Sequence, residues 1–349
     1  MIKKYIISTI IIIVILILIN PVNVNQNSPI KIGIILPLTG DLALIGEPAK
    51  LGAEMALKKF KNTKHTYQLI FEDDQYNVAK TVTAANKLIS TDKIIALITL
   101  GSAEGNGVKP IANKNKIIHF NTATSDQTIA DGIYIFNHWT PPIEESKVMV
   151  TKFIKEKIKK VAIFTTNNDG MMAIASELKR QLKENEIEII LDEIISVGER
   201  DFRTQIAKLK NNLPDIIVLQ NTPPELEILA KQIKEVGIKI PMTSIEVFDT
   251  TSAPDLFKGF WYVTAGDFTD KFKDEYSLKD NRIPALATGN IYDMVTLIIT
   301  AAERTTGKLT AEKISTELLK VQGQDGAMGS LSINNHGAVI SGASLKTVK

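Results

Sequence analysis

Short apolar runs alternate with longer amphipathic segments along most of the 349-residue chain. The runs are apolar on both faces, and a helical pattern follows each one, which indicates parallel sheets covered by helices on both sides. In chain order the predicted elements are strand 31–36, helix 48–60, strand 67–72, helix 78–89, strand 94–100, helix 108–114, strand 117–121, helix 144–157, strand 161–165, helix 172–183, strand 188–195, helix 202–210, strand 215–220, helix 225–236 and a short strand near 242.

The alternation is interrupted twice. Segment 137–142 contains two prolines and no periodicity, so it is predicted to cross between two units. After 259–266 the pattern becomes mostly helical, with predicted helices 269–276, 286–304 and 311–319, and the chain closes with short extended segments. The predicted fold class is therefore α/β, with two doubly wound parallel-sheet lobes and a helical return.

The first residues have the order of an export signal. Lys3 and Lys4 precede an apolar run over 6–19, and a polar stretch follows at 23–28. The run is shorter than the roughly 20 residues that a membrane-spanning helix needs. Residues 1–29 are predicted to be an export signal or an N-terminal anchor. Segment 21–25 has no small-residue cleavage pattern, so an uncleaved tether stays an alternative, and both alternatives place the folded part outside the cytoplasm.

Composition excludes several kinds of protein. The formal net charge is +2 and no Lys/Arg cluster is interleaved with aromatic residues, so we expect no nucleic-acid partner. The chain has no cysteine, which excludes disulfides, thiolate chemistry and a cysteine-linked lipid. About 320 residues follow the export segment, more than one hydrophobic core usually holds, which again favours two lobes.

Candidate ligand contacts follow two of the predicted strands. Strand 94–100 runs into Gly101 and Ser102, and strand 117–121 runs into a segment that contains Thr124 and Ser125. In open parallel sheets ligands bind at the carboxyl ends of strands, and exposed amides with hydroxyls suit a carboxylate. The alternative is that these residues only form turns and helix caps.

Signals for catalysis or metal binding are absent from the sequence. The adjacent Asp73 and Asp74 suit loop solvation and helix capping better than an acid/base pair. The four histidines are scattered, and no nucleophile elbow, phosphate-binding loop or dinucleotide fingerprint occurs. We therefore predict no catalytic residue, no metal and no cofactor.

Several segments in a fixed order carry a family resemblance. They are 32–40 (IGIILPLTG), 46–47 (GE), 52–56 (GAEMA), 72–75 (EDDQ), 292–293 (YD) and 326–331 (GAMGSL), continuing to 335–337 (NHG). From about residue 30 to its end, the chain resembles the branched-chain amino acid (leucine/isoleucine/valine) substrate-binding proteins. These are type I periplasmic binding proteins that serve ABC importers.

The resemblance implies two lobes that close like a hinge on a small ligand. Three crossings would join the lobes, near 137–142, 259–267 and 327–330. Lobe 1 is then expected to comprise 30–138 plus 266–327, and lobe 2 to comprise 139–265 plus 328–349. The protein is expected to be a monomer whose partners are a small-molecule ligand and an ABC permease in the membrane.

The resemblance also implies the site residues. The loop with Gly101 and Ser102 and the loop with Ala123, Thr124 and Ser125 would hold the ligand carboxylate, while Glu246 on the second lobe would meet the ammonium. The family's pocket commonly has aromatic residues at three positions where this chain has Ile45, Gly170 and Thr222. Tyr76, Trp139 or Phe248 are candidates to compensate, and the sequence does not place them.

The predicted function is that of an extracytoplasmic solute-binding protein of an ABC importer, which binds an amino acid or related small carboxylate and is not an enzyme. The missing aromatic residues leave open a bulkier amino acid, a short peptide, an amide or an aromatic acid. Two alternatives from other classes are a membrane-tethered ligand-sensing domain and an exported enzyme on the same fold.

Overall fold

The computed structural model describes residues 28–125, 127–211, 213–281, 284–339 and 342–349. All but the last two residues of the predicted export segment 1–29 therefore lie outside the described residues. Within the described ranges, no helix combines the length and the apolar character that crossing a membrane requires.

The first lobe is built on a sheet whose described strands are β1 (Ile30–Leu36), β2 (Tyr67–Asp73), β3 (Ala96–Leu100), β4 (Ile118–Thr122) and β5 (Ile135–Asn137). Neighbouring strands are parallel in the order β2-β1-β3-β4-β5. Strands β3 and β4 are buried on both faces, as the apolar runs predict. The helices between these strands are α1 (Ala43–Lys59), α2 (Val78–Lys87), which continues as a π-helix over Leu88–Asp92, and α3 (Ser102–Asn115).

The second lobe repeats the arrangement. Its elements are α4 (Pro142–Glu156), β6 (Lys160–Thr166), α5 (Asp169–Glu184), β7 (Glu188–Ile195), α6 (Arg203–Asn211), β8 (Ile216–Gln220), α7 (Glu225–Glu235) and β9 (Met242–Thr243). Its described strands are parallel in the order β7-β6-β8-β9. The two-lobed α/β fold predicted from the sequence is confirmed.

The helical return packs mainly on the first lobe. It comprises β10 (Trp261–Thr264), α8 (Asp270–Ser277), α9 (Thr288–Arg304), α10 (Ala311–Leu318), β11 (Gln324–Gly326), β12 (Gly329–Leu331) and β13 (Ser344–Thr347). Helix α9 lies against α1 and is buried along most of its length. Strand β13 pairs antiparallel with β10, so the last described strand lies with the second lobe.

Two predicted helix starts are wrong, and both errors concern residues next to the cleft. Helix α1 begins at Ala43, ahead of the predicted start at 48, and contains Pro48. This early turn packs so tightly on the preceding loop that a Cβ at Gly46 would lie 2.0 Å from the Pro37 carbonyl oxygen. Helix α3 begins at Ser102, ahead of the predicted 108, because Gly101 at φ +111° turns the chain directly from strand into helix.

The buried apolar side chains form separate cores in the two lobes. The first core runs from β1 through α9 and α10 and also takes in Leu331, Ile333 and Val339. The second core covers the apolar residues between Met149 and Val263. The predicted assignment of all of 328–349 to lobe 2 is therefore wrong for these three side chains, which follow the β11–β12 hairpin back onto the first sheet. The rest of the predicted division stays a prediction.

A buried polar cluster holds the crossings between the lobes. The Asp293 carboxylate, on α9, accepts the backbone N–H groups of Ala327 at 2.5 Å and Met328 at 2.9 Å. Its Oδ2 also lies 3.4 Å from His138 Nε2, and the Asn290 amide donates to the His138 carbonyl at 3.1 Å. One carboxylate on the first lobe therefore fixes two of the predicted crossings.

Replacing Asp293 tests this anchoring. Asp293→Ala should lower the free energy of unfolding by about 3 kcal/mol, because two buried backbone N–H groups lose their acceptor. Urea denaturation measures this change. The control is Asp270→Ala, since the Asp270 side chain is 97% exposed and its ion pair with Lys273 should contribute less than about 0.5 kcal/mol. Equal stability of the two variants would contradict the anchoring role.

Candidate functional site

Ser102 joins the two hydroxyl-rich loops of the first lobe. Its Oγ accepts the Ser125 backbone N–H at 3.1 Å and the Thr124 hydroxyl at 3.1 Å, and all three residues are buried. Because Ser102 is the first residue of α3, the backbone N–H groups of that helix start are presented at the same place. The result is a compact group of neutral hydrogen-bond donors that suits a carboxylate.

A buried network beneath these loops fixes their positions. The Thr99 hydroxyl donates to Asn121 Oδ1 at 2.7 Å, and the Asn121 amide donates to the Gly101 carbonyl at 3.0 Å. Thr99 has one hydroxyl hydrogen, so His119 Nε2, 2.7 Å from Thr99 Oγ1, is assigned as the donor of that contact. Burial lowers the pKa of His119 to about 3, which keeps the ring neutral.

Three residues of the loops around the cleft have strained backbone conformations. Tyr76, Ala123 and Glu246 have φ angles of +55°, +50° and +67°, in the left-handed region that non-glycine residues rarely occupy. Each such residue costs on the order of 1 kcal/mol, and the surrounding hydrogen bonds must hold it in place. The three residues come from different loops, and their strained conformations set the directions in which those loops approach the site.

Gly170 brings the second lobe against Ser102. It lies in the first turn of α5, and a Cβ at this position would be 3.2 Å from Ser102 Oγ. Helices α3 and α5, from different lobes, are therefore in contact, and the cleft is closed. A side chain at 170 would require Ser102 Oγ to shift by a few tenths of an ångström, so the glycine allows this close approach of the lobes.

Glu246 supplies a carboxylate from the second lobe. It precedes the 3-10 turn Val247–Asp249, is 6% exposed, and its backbone N–H donates to the Val263 carbonyl at 2.7 Å. The Trp139 indole N–H donates to its Oε1. Trp139 belongs to the first crossing between the lobes, so this hydrogen bond joins the predicted ammonium contact to the hinge.

A second carboxyl, that of Glu145, lies against Glu246. Glu145 is fully buried in the first turn of α4, and no donor reaches either of its carboxyl oxygens. Its contact with Glu246 is a hydrogen bond only when one of the two carboxyls carries a proton. Burial, together with the neighbouring Glu246 carboxyl, raises the pKa of Glu145 well above its usual range, and burial also raises the pKa of Glu246.

A third buried carboxyl, that of Glu104, lies beside Gly101. A Cβ at Gly101 would be 2.2 Å from Glu104 Oε2 and 2.9 Å from the Tyr76 ring, so only glycine fits there. Glu104 is 3% exposed, and Oε2 has no hydrogen-bond partner. Burial, together with the carboxylates of Asp74 and Asp169, raises the pKa of Glu104 to about 7. The hydrogen bond from its own backbone N–H acts in the opposite direction and lowers this pKa.

Tyr76 connects the two acidic regions. Its side chain is 37% exposed, and its ring lies against Gly101. Desolvation of the hydroxyl raises its pKa, and the carboxylates of Glu104, Glu246 and Asp74 add to that effect. The hydroxyl is thus within electrostatic reach of both Glu104 on the first lobe and Glu246 on the second.

The predicted site residues fall into two groups in the structure. One group meets around Ser102; its members are Gly101, Ser102, Ala123, Thr124, Ser125 and Gly170. Glu246 is connected to this group through Tyr76, whose ring lies against Gly101 and whose hydroxyl pKa the Glu246 carboxylate raises. Ile45 instead packs in the first core, and half-buried Thr222 precedes α7, where its carbonyl accepts the Leu226 N–H at 3.1 Å. Their ligand-binding roles stay predictions.

Glu104 and Glu145 were not singled out from the sequence. Both are acidic residues in the first turn of a helix, which is where acids ordinarily occur because they complement the helix dipole. Nothing in the sequence distinguishes such a solvated acid from one that a second lobe covers. Within the described ranges, no group of three or more His, Cys, Asp or Glu side chains is arranged to hold a metal ion.

A separate cavity is lined in part by Trp139. Its volume is about 790 Å³, and its lining includes Phe248, Tyr262, Phe268 and Leu286. The cavity lies between the hinge segments and both lobes, and it does not include Ser102 or Glu246. The polar contacts at Ser102 and Glu246 have the chemistry to orient a ligand, whereas this cavity offers mainly aromatic and aliphatic surface.

Comparison with known proteins places the chain in a family. A family model described as "Periplasmic binding protein" matches residues 29–349. A Leu/Ile/Val-binding protein homolog from Brucella melitensis is 26% identical over 292 residues, which are 79% of each chain.

Two solved structures share the fold. The branched-chain amino acid transporter substrate-binding protein LivJ from Streptococcus pneumoniae, in complex with isoleucine, has a TM-score of 0.83 at 21% identity, covering 92% of this chain and 96% of that one. An ABC transporter solute-binding protein from R. palustris, in complex with benzoate, has a TM-score of 0.82 at 17% identity, covering 92% and 94%.

The raised pKa of Glu104 predicts a pH-dependent stability. Its folded pKa of about 7 exceeds the ordinary 4.5, so its protonated form is favoured by folding. The contribution of the protonated Glu104 carboxyl to the free energy of unfolding is present below pH 4.5 and is lost as the pH rises through 7. Glu104→Gln should therefore be more stable than wild type by about 3 kcal/mol at pH 8 and equally stable at pH 4.

Urea denaturation of ligand-free protein at both pH values measures the difference, with the exposed Glu47→Gln as control. A pH-independent difference would contradict the assignment.

Proposed function

Because the chain belongs to the periplasmic binding protein family, we propose that it is an extracytoplasmic solute-binding protein of an ABC importer. It closes its two lobes on an amino acid or a related small carboxylate and delivers that ligand to a membrane permease. It acts as a monomer and without catalysis. Its location outside the cytoplasm follows from the export-like segment 1–29 and from the family.

The proposal rests on one observation. Hydroxyl and amide groups belong to one lobe, and a buried carboxylate belongs to the other. On the first lobe, Ser102, Thr124 and Ser125 gather hydroxyls and amides at the start of α3. On the second lobe, Glu246 presents a buried carboxylate. We assign the first group to the ligand carboxylate and Glu246 to its ammonium, since each then receives a partner of the opposite character.

Closure follows from this arrangement. A ligand held by Ser102 on one lobe and Glu246 on the other makes its full set of contacts only when the lobes are together. It therefore binds the closed form more tightly than the open form and shifts the equilibrium toward it. The tight approach of Gly170 to Ser102 favours a ligand whose acid end is small.

The solved relatives support a carboxylate as the shared requirement. One of them holds isoleucine and another holds benzoate, and these ligands share an acid group but not an amine. In this chain the neutral donors around Ser102 would serve either ligand, whereas Glu246 has a partner only in a ligand that carries an amine. The cavity lined in part by Trp139 offers room for a bulky side chain.

A binding panel tests the proposal. A true ligand at 100 times its dissociation constant should add roughly 2.7 kcal/mol to the free energy of unfolding, which a thermal-shift assay detects. The panel should contain the common amino acids, their amides, short peptides and benzoate. If none of these raises the melting temperature, the proposed function is wrong.

Two substitutions separate the proposed contacts. Ser102→Ala should weaken every ligand by about 1 kcal/mol, roughly fivefold in Kd, because one hydroxyl is lost. Glu246→Gln should weaken amino acids by about 3 kcal/mol and leave benzoate-like acids unchanged, since only an ammonium loses its counter-charge. Isothermal titration calorimetry measures both changes. Ser90→Ala and Glu235→Gln, both exposed, are the matched controls, and unchanged affinities in the two site variants would contradict the assignment.

A further inference from the structure

The site buries more carboxyl groups than the ammonium of a simple zwitterion can contact. An amino acid such as leucine brings one ammonium and one carboxylate, and the proposed site uses the ammonium at Glu246 and the adjacent Glu145. Glu104, which is 3% exposed, then remains. Among the described residues, no ion pair involves Glu104, Glu145 or Glu246, so no lysine or arginine of the protein neutralises them.

Both Glu104 and Glu145 have fewer hydrogen-bond partners than their buried oxygens can use. Oε2 of Glu104 has no partner, and the Glu145 carboxyl has only the Glu246 carboxyl, with which it can share a proton. A buried polar atom without a partner carries a large desolvation cost, so native proteins rarely leave one unmatched. Donors from a bound ligand would supply the missing partners, because Glu104 lies beside Gly101 and Glu145 lies against Glu246, both of which belong to the proposed site.

Helix capping alone does not explain their burial. An acid in the first turn of a helix is favoured by the helix dipole while it stays in water. Glu104 is instead 3% exposed, and the carboxylate of Asp169, from the start of α5 on the second lobe, raises the pKa of its carboxyl. In the closed structure, acidic groups from the two lobes, Glu104 and Asp169, are therefore close together. Their electrostatic repulsion opposes closure when both are ionised, unless a positive charge lies between them.

We propose that the ligand carries a second positive charge, so that this chain binds a free basic amino acid of the lysine, ornithine or arginine type. The α-ammonium lies at the Glu145–Glu246 pair, and the side-chain cation lies at Glu104 beside Tyr76. The ligand carboxylate lies at Ser102, Thr124 and Ser125. This inference rests on the proposed function and specifies the ligand class of the same site.

The neighbouring groups favour an organic cation over a metal ion. Within the described ranges, no set of three or more acidic or histidine side chains is arranged to coordinate a metal. The Tyr76 ring beside Glu104 offers an aromatic face, which attracts ammonium and guanidinium groups. An ammonium has three N–H donors and a guanidinium has five, which match the unpartnered carboxyl oxygens.

The sharpest test compares lysine with norleucine, which has nearly the same shape and lacks the side-chain amine. Isothermal titration calorimetry on wild-type protein at pH 7.5 should show a Kd for lysine, ornithine or arginine at least tenfold lower than for norleucine and leucine. Equal or tighter binding of norleucine or leucine would overturn this inference while leaving the proposed function intact. Absence of binding by every amino acid and by benzoate would overturn both.

Substitution of Glu104 then tests the assigned subsite. Glu104→Gln should reduce the preference for the basic amino acid over norleucine from at least tenfold to less than threefold, and its affinity for norleucine should not fall. Glu145→Gln should weaken all α-amino ligands together and keep the preference. Glu47→Gln, on the exposed surface, should change neither quantity. A preference that survives Glu104→Gln would overturn the placement of the second cation, and the retained affinity for norleucine confirms that the variant is folded.

Discussion

Burial of carboxylates in a closing cleft is the constraint on which the rest of this site depends. Three acids, Glu104, Glu145 and Glu246, come from different loops and helices and are almost fully shielded from water in this closed structure. Three interactions offset part of the cost of this desolvation. They are the hydrogen bond from the Trp139 indole, the backbone N–H of Glu104, and a proton shared by the Glu145 and Glu246 carboxyls. The ligand-free closed state is therefore held back by electrostatics, and a cationic ligand removes that opposition. Such a balance makes closure depend on the ligand, as a receptor that reports occupancy requires.

The opposite side of the site is built from neutral groups. The described hydrogen bonds around Ser102 come from Thr124 and Ser125, with the start of α3 adding backbone N–H groups. Neutral dipoles held by the Thr99–Asn121 network are already oriented, so little free energy is spent on ordering them when a carboxylate arrives. They also cost less to desolvate than a lysine or arginine would. In the proposed function, the two ends of the ligand are therefore bound by different interactions: preorganised dipoles at the acid, and full charges at the amine.

The sequence predicted the architecture well because periodicity is a local property. Buried strands such as β3 and β4 are continuous apolar runs, and their helices repeat with an amphipathic period, so the two sheets followed from the pattern. The hydroxyls of Ser102, Thr124 and Ser125 could be anticipated because they follow parallel strands. Ile45 could not be placed, since a core aliphatic residue and a pocket residue have the same appearance in sequence. Glu104 and Glu145 could not be found at all, because their burial is created by the other lobe and by contacts distant along the chain.

The hinge and the ammonium site are parts of one structure, and Trp139 and Thr140 show why. The Trp139 indole donates to Glu246, while the next residue, Thr140, donates through its hydroxyl to the Ala265 carbonyl at 2.7 Å in the second crossing. The same segment continues back to His138, which the Asn290–Asp293 cluster holds on the first lobe. The segment that joins the lobes therefore also supplies a donor to Glu246. Since the Trp139 hydrogen bond lowers the pKa of Glu246 and so opposes the effect of burial, any change at the crossing that broke this bond would make the ionised acid more costly to keep buried.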